Sequence, residues 1–453
     1  MLKYMLLLNE LEGLLDSGAI REGGKLPSVR QLAESHNVNK ATVIRALQEL
    51  EKRHLIYAVP QSGYYAVGKE RQAEESSTRN LDFATSAPDP DVFPYLDFKH
   101  CINQAIDIYK NELFVYGTPK GLPTLIPVIQ KQLANHQVFT DPDRIVITAG
   151  VQQALSLLVA MPFPNGKSNI LIEQPGYHLL IAHLKTHGIR ALGIARDERG
   201  LDWTELERMF REEDIKFFYT MPRFQNPLGV SYNKQEKLRM LELAARYDVY
   251  LVEDDYMADF ETDTKADPLY AYDTGSPSRV IYLKSYSKII FPGLRVGVAV
   301  LPEELVGMFR SYKHVLDIDS SMLSQAALEI YIKSGMFERH RQKISGSYLQ
   351  RSRVLQGSLE RAKERLPAKL QAGFPSKSPF MHTHLVLDRS VNVGALISRM
   401  RKQGVLLDSI DKHMLSTFPL PNLLKLTVSN VKEKDIEQGI QRITNGLLAL
   451  YRG

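Results

Sequence analysis

A lysine set among hydroxyls and a guanidinium stands at Ser285-Tyr286-Ser287-Lys288-Ile289-Ile290-Phe291-Pro292-Gly293-Leu294-Arg295. The amine of Lys288 can condense with a carbonyl, while Ser285, Ser287 and Arg295 offer hydroxyls and a planar fork that match anionic oxygens. Read alone, a lysine beside a strand is an ordinary solvated charge; the serines and the arginine around it argue for more. Upstream, Val252-Glu253-Asp254-Asp255-Tyr256 sets carboxylates and a phenol at the end of an apolar run. Ligand groups gather at such strand ends in open α/β sheets, although an acidic cluster also suits a helix N-terminus. Thr148-Ala149-Gly150-Val151-Gln152-Gln153 leads into a helical pattern whose first backbone N–H groups suit an anion. Glu173-Gln174-Pro175-Gly176-Tyr177 adds an aromatic ring, and Pro222-Arg223-Phe224-Gln225-Asn226-Pro227-Leu228-Gly229 adds an amide. Singly, the first is ordinary core and the second a turn. No metal site is expected.

Taken in this order, the segments resemble those of fold-type-I aminotransferases. The resemblance implies pyridoxal phosphate as cofactor, which needs a lysine, an acid, phosphate donors and a stacking ring. It makes Lys288 the Schiff-base lysine and Asp254 the acid that keeps the pyridine nitrogen protonated, with Asp255 a close competitor for that role. Tyr256 and Asn226 then contact the ring hydroxyl, and Tyr177 stacks on the ring. Ser285, Ser287 and Arg295 hold the phosphate together with Gly150 and Gln152. Relatives often carry serine or alanine where this chain has Val151, which leaves Gly150 and Gln152 as the contacts that transfer. Many aminotransferases place a carboxylate-gripping arginine where this chain has Leu424-Lys425-Leu426. A lysine is a point charge rather than a fork, so an ordinary α-amino acid is held less firmly. Lys425 and Arg223 are the expected effector contacts.

Such groups need a rigid sheet to position them. Short apolar runs at Ile145-Val146-Ile147, Ile170-Leu171-Ile172, Phe217-Phe218-Tyr219, Tyr250-Leu251-Val252 and Val280-Ile281-Tyr282-Leu283 alternate with helical stretches such as Lys234 to Arg246. Buried strands alternating with helices predict an α/β body with a mostly parallel sheet covered on both faces. The body is expected over residues 81–453. Before it, Gly68 to Asn80 is polar and charged with almost nothing to bury, so residues 69–80 read as a linker.

The first 68 residues follow another pattern. Leu7, Leu8, Leu11, Leu14 and Leu15 have helical spacing, Ser28 is an N-cap candidate for Val29 to His36, and Asn39 for Lys40 to Arg53. Leu55 to Val67, broken at Pro60-Gln61-Ser62-Gly63, reads as a hairpin. Three helices and a hairpin make a winged helix-turn-helix. Val43, Ala46, Leu47 and Leu50 suit its core, which leaves Asn39, Lys40, Thr42 and Arg45 for DNA, with Ser28 and Arg30 on the preceding helix and Ser62 and Gly63 at the wing tip. Each of these alone is an ordinary surface group.

Leu26-Pro27-Ser28-Val29-Arg30-Gln31-Leu32-Ala33, with Val38, Thr42-Val43, Leu47 and Leu50, resembles the head of the GntR family. Many relatives carry Ser-Arg where this chain has Asn39-Lys40, so the half-site sequence does not transfer. A GntR head on an aminotransferase-like body is the arrangement of the MocR subfamily. That resemblance implies a homodimeric regulator of double-stranded operator DNA, often with the head of one subunit over the body of the other. Sensing of a small amino compound through aldimine exchange at Lys288 is the expected mechanism. Two rival readings stay open: a working aminotransferase with an incidental head, and a body that only dimerises and binds no cofactor.

Bulk properties agree with this reading without proving it. The 453 residues are 44% hydrophobic and 24% charged, ordinary for about two or three globular units. A net charge of +5 is small for the length and does not itself point to nucleic acid. Asn9, Glu10 and Glu12 interrupt the apolar start, against an export signal, and no run of about 18 to 20 apolar residues is present to span a membrane. The single cysteine, Cys101, fits a reducing compartment. A cytoplasmic protein is expected.

Overall fold

The computed structural model of the chain describes residues 3–17, 19–20, 24–53, 55–59, 62–66, 80–263, 265–371, 373 and 381–451. They fall into two compact units that meet between Arg79 and Asn80. Of the expected linker, residues 69–79 lie outside the described residues, and Asn80 belongs to the second unit.

The first unit holds helices α1 (Lys3–Asp16), α2 (Val29–Ser35) and α3 (Lys40–Lys52) and the hairpin of β1 (Ile56–Val59) and β2 (Gly63–Ala66). Its core is the leucine stripe of α1 against α3: Leu7, Leu8, Leu11, Val43, Ala46, Leu47 and Leu50 are buried, while Leu14 turns outward. Ser28 closes a capping box with Gln31, and Asn39 caps α3 by accepting from the Thr42 N–H at 2.8 Å. Such caps satisfy backbone donors that short helices otherwise leave bare, each contributing about 1 kcal/mol. Asn37 takes φ 48° in the joint between α2 and α3, a conformation that asparagine tolerates better than most residues. Pro60 and Gln61, at the expected hairpin turn, lie outside the described residues.

In the second unit, strands β3 (Leu81–Asp82), β4 (Ile145–Thr148), β5 (Asn169–Gln174), β6 (Ala191–Asp197), β7 (Gly200–Leu201), β8 (Ile215–Thr220), β9 (Tyr250–Asp254), β10 (Val280–Ser285) and β11 (Gly297–Val300) appear in chain order. An eight-stranded sheet runs β4-β11-β10-β9-β8-β5-β6-β7. Strands β10, β9, β8, β5 and β6 are parallel, and β11 opposes both of its neighbours. Successive residues of each strand belong to different cores. Ile145, Ile147, Phe218 and Leu251 join the helices on one face, while Val146, Phe217, Tyr219, Tyr250 and Val252 join those on the other. This two-faced burial is what allowed the strands to be read as continuous apolar runs.

The C-terminal part adds β12 (His382–Val386), β13 (Val405–Leu406), β14 (Asp408–Ser409) and β15 (Leu423–Thr427). Strands β12, β15 and β14 form an antiparallel sheet, and β13 pairs in parallel with β3 from the start of the unit. Phe83, just after β3, is fully buried among Leu355, Leu385, Leu426 and Ile440. Gly439, in the helix Glu433–Tyr451, makes room for the Phe83 ring: a Cβ there would stand 2.2 Å from the Phe83 Cε2. Gly439→Ala is therefore expected to destabilise the unit by about 1–3 kcal/mol, read as a lower denaturation midpoint. Gly307→Ala, in the helix Glu303–Asp317 where a Cβ meets open space, is expected to leave the midpoint unchanged or raise it.

Candidate functional site

The carboxyl ends of the parallel strands open into a cavity of about 440 Å³, within the usual range for a small-ligand site. Each strand delivers its groups through the turn that follows it. Beyond β4, Gly150 takes φ 92°, a conformation natural to glycine, and begins the helix Val151–Ala160. A Cβ on Gly150 would stand 3.1 Å from an Arg295 guanidinium nitrogen, so helix N-terminus and guanidinium converge on one spot. Arg295 leads into β11, itself at φ 54°, and donates from Nη2 to the Ala149 carbonyl at 2.7 Å. At the end of β10 the Ser285 hydroxyl accepts from the Ser287 N–H at 3.2 Å. With Gln152, these groups form a donor-rich end of the cavity.

Lys288 follows in the turn after β10 and donates its Nζ to the Ser86 carbonyl. Burial lowers its amine to about 8. Asp254 closes β9 and is 4% exposed. Its Oδ2 accepts from the Tyr219 hydroxyl at 2.7 Å, whereas Oδ1 is buried without a partner. Burial pushes this carboxyl up to about 7 against the Tyr219 hydrogen bond, and the neighbouring Asp255 charge adds to the rise. The Oδ1 of Asn226 is also buried and unpartnered. Tyr256 donates to the Phe224 carbonyl at 2.6 Å, and the Tyr177 ring lies 6.5 Å from that of Tyr219 at an interplanar angle of 27°. Asn226, Tyr256 and Tyr177 all line the cavity, as do Lys288, Asp254 and the donor-rich end.

Two expectations change. Asp255 does not compete with Asp254, because it is bound by Arg223 and by the Tyr282 hydroxyl at 2.7 Å and does not line the cavity. Burial opposes its charge, but the Arg223 guanidinium holds the carboxyl below the usual carboxylate range. Arg223, expected as an effector contact, is 3% exposed and spends its fork on Asp255 and the Ala266 carbonyl, outside the cavity wall. The reason is local: a buried acid next to Asp254 needs a cation, and Arg223 is the one supplied. Lys425 does line the cavity from β15, 3% exposed, with burial lowering its ammonium to about 7.

Other cavity residues carried no sequence signal strong enough to find them. Ala84 to Pro88 form one wall, and His178, Asp408 and Lys412 line it elsewhere. The first is a bland stretch without reactive groups, although its Ser86 carbonyl receives Lys288. Asp408 and Lys412 do stand four residues apart, a spacing that pairs charges, and the structure pairs them.

On the head, Arg30, Asn39, Lys40 and Arg45 are exposed along α2 and α3, and Thr42 is half-buried. Asn39 and Thr42 are joined side chain to side chain at 2.7 Å, and Ser28 is exposed at its cap. Arg45 lies over the Tyr4 ring at 4.4 Å. Ser62 bonds the Tyr65 hydroxyl at 2.6 Å, beside an exposed Gly63 with φ 118°. Among the described residues no partner reaches Arg30 or Lys40, which are thus the uncommitted cations of this face.

Two outcomes follow from the buried charges. Folding raises the proton affinity of Asp254, so this group stabilises the fold below the ordinary carboxylate value of 3.8 and that contribution is lost as pH rises through about 7. In cofactor-free protein, the stability of Asp254→Asn relative to the parent is expected to rise over that window; urea titrations at several pH values check it, and parallel curves refute it. Arg223→Leu leaves Asp255 buried and unpaired, at a cost of about 3–5 kcal/mol. A fall in the denaturation midpoint of the cofactor-free protein is the expected reading.

With this geometry in hand, comparison with known proteins gives a consistent answer. Residues 82–443 match the aminotransferase class I and II family, and residues 4–65 match the bacterial regulatory proteins of the gntR family. The uncharacterized HTH-type transcriptional regulator YcxD of Bacillus subtilis is 58% identical over 98% of this chain and 100% of its own length. Aromatic-amino-acid aminotransferase 1 of Thermococcus litoralis is 26% identical over 80% of this chain and 87% of its own. The kynurenine aminotransferase of Pyrococcus horikoshii, crystallised in complex with PMP, superposes with a TM-score of 0.73 at 25% identity, covering 82% of this chain and 92% of that one. The body thus has the fold-type-I aminotransferase fold. The chain belongs to the gntR family of bacterial regulatory proteins, with a helix-turn-helix DNA-binding head fused to a body of the class I and II aminotransferase family.

Proposed function

We propose that this protein is a pyridoxal-phosphate-dependent transcriptional regulator of the MocR type, whose body senses an amino compound and whose head binds operator DNA. One observation carries the reading: Lys288, the Arg295 end of the helix Val151–Ala160 and an unpartnered Asp254 oxygen meet in one cavity. The residues present fit the cofactor. Gly150, Gln152, Ser285, Ser287 and Arg295 suit a phosphate; Asp254 Oδ1 is an acceptor that lacks a donor, as a protonated pyridine nitrogen requires; Asn226 and Tyr256 suit the ring hydroxyl, and Tyr177 the ring face. When bound, pyridoxal phosphate supplies an aldehyde carbon that either Lys288 or a free amine can capture, beside an electron-withdrawing ring.

The chain's own groups set the terms of that choice. Lys288, lowered by burial to about 8, keeps an uncharged and nucleophilic fraction near neutral pH. Tyr219 fixes the Asp254 carboxylate by donating to Oδ2, which leaves Oδ1 aligned for a proton on its partner. Lys425 lines the same cavity from β15. Occupancy alters DNA affinity only if two conformations of the protein bind the amine unequally.

The regulator acts as a homodimer in the cytoplasm, reading paired half-sites. The exposed run Phe114, Val115 and Tyr116, at 75%, 64% and 79% exposure, supports association, because such apolar surface is costly to leave in water. Among the described residues no helix is long and apolar enough to cross a membrane.

Retention of Lys288 and Asp254 favours a second reading, transamination between amino and keto acids. Full-length protein loaded with pyridoxal phosphate separates the two. An amine is expected to change the affinity for an operator fragment in the parent and not in Lys288→Ala, which still binds DNA. Operator affinity indifferent to every amine, together with sustained turnover, would establish the enzyme instead.

A further inference from the structure

We infer that Lys216 of β8, which lies outside the cavity wall, is a positioning residue for the cofactor: its ammonium caps the trailing end of the helix Val151–Ala160, whose leading end takes the phosphate, and so sets how tightly that phosphate is held. The inference rests on the reading that the cavity holds pyridoxal phosphate.

The strand is irregular where Lys216 stands. Across β5, Asn169 is paired with Ile215 and Ile170 with Phe217, so Lys216 has no residue opposite it. An extra residue of this kind bends a strand and re-aims a side chain. Regular alternation would turn Lys216 away from the side that Phe217 faces. Instead its Nζ lies 5.1 Å from the Phe163 ring and 5.5 Å from the Phe217 ring, both in the core that contains the helix Val151–Ala160. The residue is 5% exposed.

There the ammonium donates to the carbonyls of Leu158 at 3.1 Å, Val159 at 2.9 Å and Met161 at 3.1 Å. These belong to the last turn of the helix and its cap, where carbonyls lack partners within the helix and the negative end of its dipole gathers. An ammonium has three N–H donors, and all three are spent on this helix end. Among the described residues no carboxylate pairs with it. Burial lowers it to about 8, which leaves it charged at neutral pH.

The charge therefore offsets the negative end of the helix and leaves the positive end uncancelled, beside Gly150 and Arg295. The helix has ten residues, a length of about 15 Å. Through protein of effective dielectric about 20, a unit charge at that distance changes the affinity for a unit of negative charge about sixfold. The same three bonds tie the last turn of the helix to β8, which holds its first N–H groups in place against the Arg295 guanidinium.

The test titrates full-length, cofactor-free protein with pyridoxamine 5′-phosphate, pyridoxamine and inorganic phosphate at slightly acid pH, where the Lys216 ammonium is charged. None of these forms a covalent bond with Lys288. Lys216→Met and Lys216→Gln are expected to weaken pyridoxamine 5′-phosphate about five- to tenfold and to leave pyridoxamine within about twofold of the parent. Lys216→Gln keeps amide donors for the carbonyls and loses only the charge, and Lys216→Arg, which keeps the charge, is expected to retain most of the parent affinity. Equal losses for the two ring compounds assign Lys216 to the fold alone and overturn the inference, as does no loss for either. Variants that fold only with a cation at this position overturn it too. A parent that binds inorganic phosphate but neither ring compound refutes instead the cofactor reading, and the phosphate affinities of the variants then decide the role of Lys216. Binding of none of the three refutes both.

Discussion

A carboxylate buried with one oxygen bare is an unfavourable thing to build, at a cost of about 1–3 kcal/mol or more for a charged group, and the body is arranged around one. Asp254 is the last residue of β9, and the residues before it explain why it alone faces the cavity. Side chains alternate along a strand. Val252 and Asp254 fall on one side; Glu253 and Asp255 fall on the other. Glu253 accepts from the Leu269 and Tyr270 backbone N–H groups, and Asp255 is held by Arg223 and Tyr282. Three consecutive acids are thus reconciled by two satisfied networks behind the sheet and one deliberate vacancy of hydrogen bonding in front of it.

The rest of the cavity depends on the same edge. Parallel strands end together, so turns far apart in sequence bring Gly150, Tyr177, Asn226, Asp254 and Lys288 to one place. Histidines of the C-terminal part then brace these turns. His382 and His384 contact carbonyls of the Phe224-to-Leu228 turn that carries Asn226, and His413 donates to the carbonyl next to Tyr177. Burial keeps all three imidazoles below their ordinary value, hence neutral, with a ring N–H available to give.

Much of this is legible in the sequence. The core strands declared themselves because two-sided burial leaves runs such as Tyr250-Leu251-Val252 without polar interruption, and the head because Ser28 and Asn39 are caps whose consequences are local. Lys288 and Arg295 were legible because their serine-rich setting is chemically unusual. Arg223 was misread because its partner, Asp255, is set by a strand-face alternation whose phase is fixed only at the sheet. The Ala84-to-Pro88 wall was missed for a related reason: its residues are unreactive, and their position depends on pairing with the far end of the chain. The Lys425 environment was half legible. A lone cation between Leu424 and Leu426 was visible, but its burial in the cavity wall is a property of three dimensions.

That distant pairing also fixes an order of events during synthesis. The head closes through contacts within its own short stretch of chain. The body cannot seat its opening residues until β13 and β15 exist: Phe83 receives a bond from Thr427, and Asp82 contacts Asn430, 348 positions further on. At translation rates of about 5–20 residues per second, that separation is on the order of tens of seconds. For that interval each newborn chain carries a folded helix-turn-helix head joined to a body that is not yet complete.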